Sequence, residues 1–129
     1  MVGPLLSFHT PDGPQVAAWS ATGAALLRAF AAALEARGFA SDFEAGRGEQ
    51  DWVFVASRGA ESLAVVLVLF GLHPPSTRWF VGLEDAQFRP LDAPELRAEV
   101  QPLLEAVVTG WLGASSLRWH AGPGTLREA

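Results

Sequence analysis

The sequence predicts an α+β fold in which two helices cover a mostly antiparallel sheet of four strands, in the order α-β-β-β-α-β. Two stretches carry apolar residues at helical spacing, and four shorter stretches carry them in alternation or in continuous runs. No internal repeat or low-complexity linker interrupts this order, and 129 residues suit one domain with a substantial core. We therefore expect residues 1–129 to form a single two-layer sandwich.

The first regular element is predicted to be a helix over 20–37, preceded by an N-terminal loop over 1–16. Three prolines and the turn signal Pro11-Asp12-Gly13 favour the loop. Apolar residues recur on one stripe of the helix, and Gly38 is placed to end it. The stripe comprises Gly23, Leu26, Leu27, Phe30 and Leu34, and the opposite side is rich in alanine, including Ala25, Ala29 and Ala32.

Three strands are expected next, over 52–57, 62–70 and 78–83, after a polar loop over 41–51. Residues 58–61 join the first two strands as a hairpin. The second strand is apolar on both faces, so we expect it at the centre of the sheet with both faces covered. The third alternates, with Trp79, Val81 and Leu83 on one side and the wetter set Arg78, Phe80, Gly82 and Glu84 on the other.

A second helix is indicated by Asp92, which can accept orphan amide hydrogens, and by Pro94, which stands where no donor is needed. Pro102 inside the helix predicts a kink or two abutting short helices. A short strand over 116–120 and a tail over 121–129 complete the chain. The apolar face of the second helix comprises Leu96, Val100, Leu103, Leu104, Val107, Val108 and Trp111.

The composition excludes several chemistries, because the chain contains no lysine, cysteine, tyrosine, isoleucine or asparagine. Schiff-base and phosphate-loop lysines, thiol nucleophiles, thiolate zinc sites and disulfides each need a missing residue. Lysine, tyrosine, isoleucine and asparagine have AT-rich codons, whereas alanine, glycine, proline and arginine are frequent. This bias predicts a GC-rich bacterial genome.

The charge pattern opposes a nucleic-acid partner. The formal net charge is −5, and the nine basic residues, all arginine, are scattered without forming a run. The N-terminus shows no export signal, and the longest apolar run, 63–72, is about half the length of a membrane-spanning helix. We expect a cytoplasmic protein with no membrane partner.

No metal and no cofactor are predicted, because His9, His73 and His120 each lack a second histidine at ligand spacing. Glu84 and Asp85 follow a strand, which is typical of a solvated turn. An alternative interpretation is a small enzyme or ligand-binding domain with a pocket that uses His73, Glu84 or Asp85. These side chains could then serve as acid, base or cation ligand.

The strands offer more apolar surface than two helices can cover, which predicts a protein partner or a second copy of the chain. A subunit that merely completes a homodimer is therefore a further possibility. The candidate binding residues on the helix are Ala25, Ala29 and Ala32, and those on the strands are Val53, Val55, Val66 and Val68, with Phe54 and Phe70 as the alternates on the other face.

The element order over residues 20–120 resembles that of small acidic bacterial chaperones of type III secretion, and of immunity-type proteins that neutralise a cognate toxin. The long strand and terminal helix that follow the second helix in the chaperone family are not evident here. The resemblance implies binding without catalysis, and it carries over no site residue. We therefore expect a non-enzymatic protein-binding module whose acidic surface complements a basic partner.

Overall fold

The computed structural model describes residues 5–11, 16–44, 51–73, 76–85, 87, 89–110 and 114–120, and at 11, 16–22, 44, 70–73, 76–77 and 115–116 it describes the backbone alone. Within these ranges lie two helices and six strands. Their bounds are β1 Leu5–Pro11, α1 Val16–Glu35, β2 Ala40–Glu44, β3 Asp51–Arg58, β4 Glu61–His73, β5 Ser76–Glu84, α2 Pro94–Gly110 and β6 Ser115–His120.

The strands form one antiparallel sheet in the order β2-β3-β4-β5-β1-β6. The α+β class, the two helices and the antiparallel pairing are confirmed, but the expected four strands are wrong, because the sheet has six. The additional strands, β1 and β2, lie in the segments 1–16 and 41–51 that were predicted to be loops.

The strand β1 is stabilised by apolar residues two positions apart, which point to the same face of the sheet. Leu6 and Phe8 are fully buried, and they lie opposite Val81 and Trp79 of β5. Of the prolines that predict a loop, one lies within β1, at its end. Pro11, which has no amide hydrogen to donate, is the last residue of β1.

The chain turns from α1 into β2 through Gly38, whose φ of 91° suits glycine. The amide of Phe39 donates to the carbonyl of Leu34, and the amide of Gly38 donates to that of Glu35. These two hydrogen bonds form a Schellman motif, which satisfies the last carbonyls of the helix. The strand β2 begins two residues after Gly38.

The predicted hairpin of β3 and β4 is confirmed, with Arg58 opposite Glu61 at its tip. Both strands lie inside the sheet, and β4 pairs with β3 on one side and β5 on the other. In β5, Trp79, Val81 and Leu83 are buried in the core as expected. On the side expected to be wetter, Arg78, Phe80 and Glu84 are half-buried, whereas Gly82 is buried.

Apolar side chains of both helices and of one face of the sheet form a single buried core, and we call that face of the sheet the core face. The opposite face is called the far face. Each helix connects strands that run in the same direction, β1 to β2 and β5 to β6, and the two crossovers run in opposite directions. The core includes Leu27, Phe30 and Leu34 of α1, Val100, Leu104 and Val108 of α2, and Phe54, Leu63, Val65, Leu67, Trp79, Val81, Leu6 and Phe8 of the sheet.

The helix α2 runs without a break from Pro94 to Gly110, so the alternative of two abutting helices is wrong. The proline ring of Pro102 removes the amide that would bond the carbonyl of Ala98. Both residues are exposed, so water can bond that carbonyl instead. The buried stripe of α2 lies on the other side of the helix.

Candidate functional site

The edge of the sheet at β2 carries an exposed aromatic side chain. Phe43 is 48% exposed, and no other large hydrophobic side chain is exposed in the part of the chain that the structure describes. It lies opposite Phe54 of β3, with the two ring centroids 5.6 Å apart. Because Phe54 is fully buried, Phe43 continues the apolar core face out to the edge of the sheet.

The backbone of β2 is paired on one side. Its five residues, from Ala40 to Glu44, all lie opposite residues of β3, and no described strand lies on the other side. Such an edge presents amide and carbonyl groups that another strand can bond. We call the strand with its free edge, Ala40–Glu44, the β2 edge.

Polar groups flank Phe43 within the β2 edge. The side chain of Asp42 is exposed, and it lies on the far face opposite Val55. The hydroxyl oxygen of Ser41 is buried, and it has no hydrogen-bond partner among the residues described. The β2 edge therefore combines an aromatic group, a negative charge and an unsatisfied hydroxyl within three consecutive residues.

The sequence-predicted valines Val53, Val55, Val66 and Val68 share the far face, on which none of the described helices packs. Val53 is 2% exposed and Val66 is 6% exposed, whereas Val55 and Val68 are half-buried. Phe54 lies on the core face beneath the helices. The side chain of Phe70, at a register shift between Leu69 and Gly71, lies outside the described part.

The far face also brings together Ser7 of β1 and His120 of β6, a pair that the sequence did not predict. The Ser7 hydroxyl lies 2.7 Å from Nε2 of His120 and 3.5 Å from the carbonyl oxygen of Arg118. A hydroxyl beside an imidazole is the first half of a nucleophilic triad. Ser7 is 2% exposed and His120 is 3% exposed, however, so a substrate cannot reach the oxygen. The pair joins two neighbouring strands.

The predicted alanine surface lies on the outside of α1. Ala25 and Ala32 are exposed, and Ala29 is half-buried. The structure assigns them no contact that distinguishes them from an ordinary helix surface.

The structure does not bring His73 together with Glu84 and Asp85. His73 lies opposite Ser76 at one end of β5, and Glu84 is at the other end of that strand. The eight intervening steps span about 26 Å of extended chain. The side chain of His73 lies outside the described part, and among the described residues no group of histidines and carboxylates could hold a metal ion.

The carboxylate of Asp85 is bonded within its own loop. It accepts hydrogen bonds from the backbone amides of Arg89 at 3.1 Å and Gln87 at 2.8 Å. These two donors hold the pKa of Asp85 below its usual range, because they bond the charged form. Asp85 thus orders the loop between β5 and α2.

A cleft of about 640 Å³ opens beside this loop, at the first turn of α2. Its lining includes the carboxylates Glu61, Asp85, Asp92 and Glu95 together with Leu91 and Leu96. No basic side chain lines it, so the cleft disfavours anions.

Next to the cleft, Arg58 forms hydrogen bonds that link the β3–β4 hairpin to both helices. Its terminal nitrogens donate to both oxygens of Glu99 on α2, at 2.7 and 2.8 Å, and one of them also donates to Glu61. The same guanidinium donates to the carbonyl of Arg37 at the end of α1 and lies 4.3 Å above the ring of Phe39. The role of Arg58 is therefore structural.

These charges stabilise one another. The hydrogen bonds from Arg58 lower the pKa of Glu99, and those with Glu99 and then Glu61 raise the pKa of Arg58. The ion pair therefore favours the charged forms of both Arg58 and Glu99.

Sequence reasoning missed the β2 edge because the polar residues on both sides of Phe43 suggest a loop. The available signal was the alternation of Ser41 and Phe43 with Asp42 and Glu44, directly after a helix-ending glycine. Five residues give this pattern little statistical weight. The position of β2 at the edge also depends on the strand order, which a single sequence does not specify.

No described helix is both long enough and apolar enough to cross a membrane. Comparisons with protein-family models, with curated proteins and with solved structures find no match to the chain. The geometry of the described residues is therefore the basis on which a function is proposed.

Proposed function

We propose that this chain is a non-enzymatic protein-binding module, chaperone-like or immunity-like, built as a two-layer sandwich. The proposal rests mainly on the β2 edge, where one side of the strand pairs with no described strand and the 48% exposed Phe43 extends the core face into solvent. A large exposed apolar side chain at an unpaired sheet edge favours association with another chain.

The polar clusters support binding over catalysis. Arg58, Glu61 and Glu99 neutralise one another, and the carboxylate of Asp85 is bonded by backbone amides. The hydroxyl of Ser7 is closed to solvent. Each of these groups is accounted for by its role in holding the fold.

The acidic balance of the chain favours a basic partner. The formal net charge is −5, and opposite charges on two proteins raise the rate at which they associate. Chaperones and immunity proteins are commonly encoded beside their clients. The products of the two adjacent genes are therefore the first proteins to test.

The test is co-expression of the chain with each neighbouring product, followed by size-exclusion chromatography with light scattering. We expect one stoichiometric complex, weakened about tenfold or more by Phe43→Ser, a loss typical of an interface anchor. Ala106→Ser, on the exposed side of α2, is the control and should leave the affinity unchanged. A chain that binds neither product contradicts the proposal.

A further inference from the structure

We propose that the β2 edge takes an extended segment of a partner protein as a seventh strand, and that this segment alternates apolar with basic side chains. The inference rests on the proposed protein-binding function and specifies the partner's chemistry. It follows from the strand order, from the exposure of Phe43 and from the charge on the neighbouring residues.

An added strand would continue the ladder that ends at β2. Its backbone would bond the unpaired side of Ala40–Glu44, as the strands of any antiparallel sheet do. Alternate side chains of the added strand would then point to opposite faces of the sheet. The two faces at this edge differ sharply in chemistry.

On the core face the added strand meets Phe43, which is half exposed, and the unpartnered hydroxyl of Ser41. An apolar side chain beside Phe43 would complete the burial of the ring. On the far face the strand meets the exposed carboxylate of Asp42. The register places Glu44 on the same face. Basic side chains belong there, because opposite charges on neighbouring strands attract.

The same charges oppose pairing with the β2 of a second copy. An antiparallel pair centred on Phe43 would set Asp42 against Glu44 of the other chain. A pair centred on Asp42 would set the two Asp42 carboxylates directly opposite each other. Like charges in these positions are destabilising, and natural sheets use them to block self-association at edges.

The other edge of the sheet, β6, is less suited to such a segment. Its Trp119 donates a hydrogen bond to Glu105 of α2, so the aromatic group there is already engaged. Among the side chains of β6 that the structure describes, Arg118 is exposed, and none of them is acidic. Pairing of β6 with the β2 of another copy would be head-to-tail and would propagate into filaments.

The test uses blocked nine-residue peptides with fluorescence anisotropy on the full chain. We expect a peptide of alternating arginine and valine to bind about tenfold or more tightly than one of alternating glutamate and valine. Methylating the arginine–valine peptide on alternate backbone nitrogens, those that face β2, should abolish binding, because the side chains remain but the donors do not.

Charge reversal provides the matched variants. Asp42→Arg should reverse the preference between the two peptides, whereas Glu95→Arg, an exposed reversal on α2, should leave it intact. If the arginine–valine peptide binds with the same affinity after N-methylation and to the Asp42→Arg variant, strand addition at this edge is wrong. Strand addition by a partner is also wrong if the chain alone forms filaments that Asp42→Arg abolishes, because β6 of a second copy then occupies the β2 edge.

The failure of this inference and that of the proposed function are distinguishable. A neighbouring gene product that binds the chain equally well with Asp42→Arg and Phe43→Ser leaves the protein-binding function standing and removes the β2 edge as its site. A chain that binds neither product but still selects the arginine–valine peptide shows strand addition without a physiological partner.

Discussion

Arg58 shows how one side chain can determine the relation between elements that are distant in sequence. It lies at the tip of the β3–β4 hairpin, yet it bonds the end of α1 through Arg37 and the side of α2 through Glu99. The pairing with Glu99 is bidentate, which fixes direction as well as distance. The hairpin tip and both helices are therefore held in one arrangement.

The carboxylate of Glu99 should make the stability depend on pH. Its pKa is lowered in the folded state, so its contribution is fully present above the unfolded pKa of about 4.3 and is lost as the pH falls through the folded value. Glu99→Gln removes that contribution. The difference in the free energy of unfolding between parent and Glu99→Gln should therefore shrink between pH 6 and pH 3, by urea titration.

The control for this series is Glu95→Gln, which removes an exposed carboxylate from the same helix. A difference between the parent and Glu99→Gln that stays constant down to pH 3 would show that the ion pair with Arg58 contributes nothing to stability.

The Ser7–His120 pair should likewise matter for stability and not for catalysis. Ser7→Ala removes a buried hydroxyl that lies 2.7 Å from the ring of His120, which should cost about 1–3 kcal/mol. Ser57→Ala, at an exposed position of the same sheet face, should stay within about 0.5 kcal/mol of the parent. Ester hydrolysis by the parent that disappears in Ser7→Ala would identify a nucleophile instead.

At the scale of elements, the long periodic segments could be predicted and the short ones could not. The helices and the strands β3, β4 and β5 each carry enough apolar residues for their spacing to be recognised. In β1 the flanking prolines concealed an alternating strand. In β2 the five residues include a single large apolar group, Phe43, so a loop was the reasonable interpretation.

The same reasoning explains why the candidate site was only partly predicted. The shared face of Val53, Val55, Val66 and Val68 follows from the two-residue period of a strand. The exposure of Phe43 follows instead from the strand order, which places β2 at the edge of the sheet. That order depends on long-range pairing, such as the insertion of β1 between β5 and β6, which leaves no local signature.

The packing of α1 on the sheet should be sensitive to a single methyl group. A Cβ at Gly23 would lie 2.5 Å from an atom of the Trp52 ring, too close for any real contact. Gly23→Ala gains about 1 kcal/mol of helix propensity but incurs an overpacking cost of about 1–3 kcal/mol, so we expect net destabilisation. Gly110→Ala, whose Cβ would meet nothing within 4 Å, is the control.

Thermal unfolding of both variants provides the measurement. A lower melting temperature for Gly23→Ala, with Gly110→Ala unchanged or slightly higher, supports the close approach of α1 to β3. Stabilisation by Gly23→Ala would mean that the helix does not lie against the Trp52 ring.

For the molecule as a whole, the two edge strands of the sheet, β2 and β6, differ in their contacts with the rest of the structure. The β6 end is joined to α2 by Trp119 and to β1 by the buried Ser7–His120 pair. The β2 end has an exposed ring and a negative charge. This asymmetry is the physical reason why we propose partner binding at β2.

Amide hydrogen exchange on the chain with and without its bound partner is a direct test of strand pairing at β2, because exchange reports on backbone hydrogen bonds. We predict that binding slows exchange of the β2 amides, Ala40–Glu44, by about tenfold or more, and leaves those of β6 unchanged. A bound complex in which the amides of Ala40–Glu44 exchange at the rate of the free chain would contradict the pairing of a partner strand with β2.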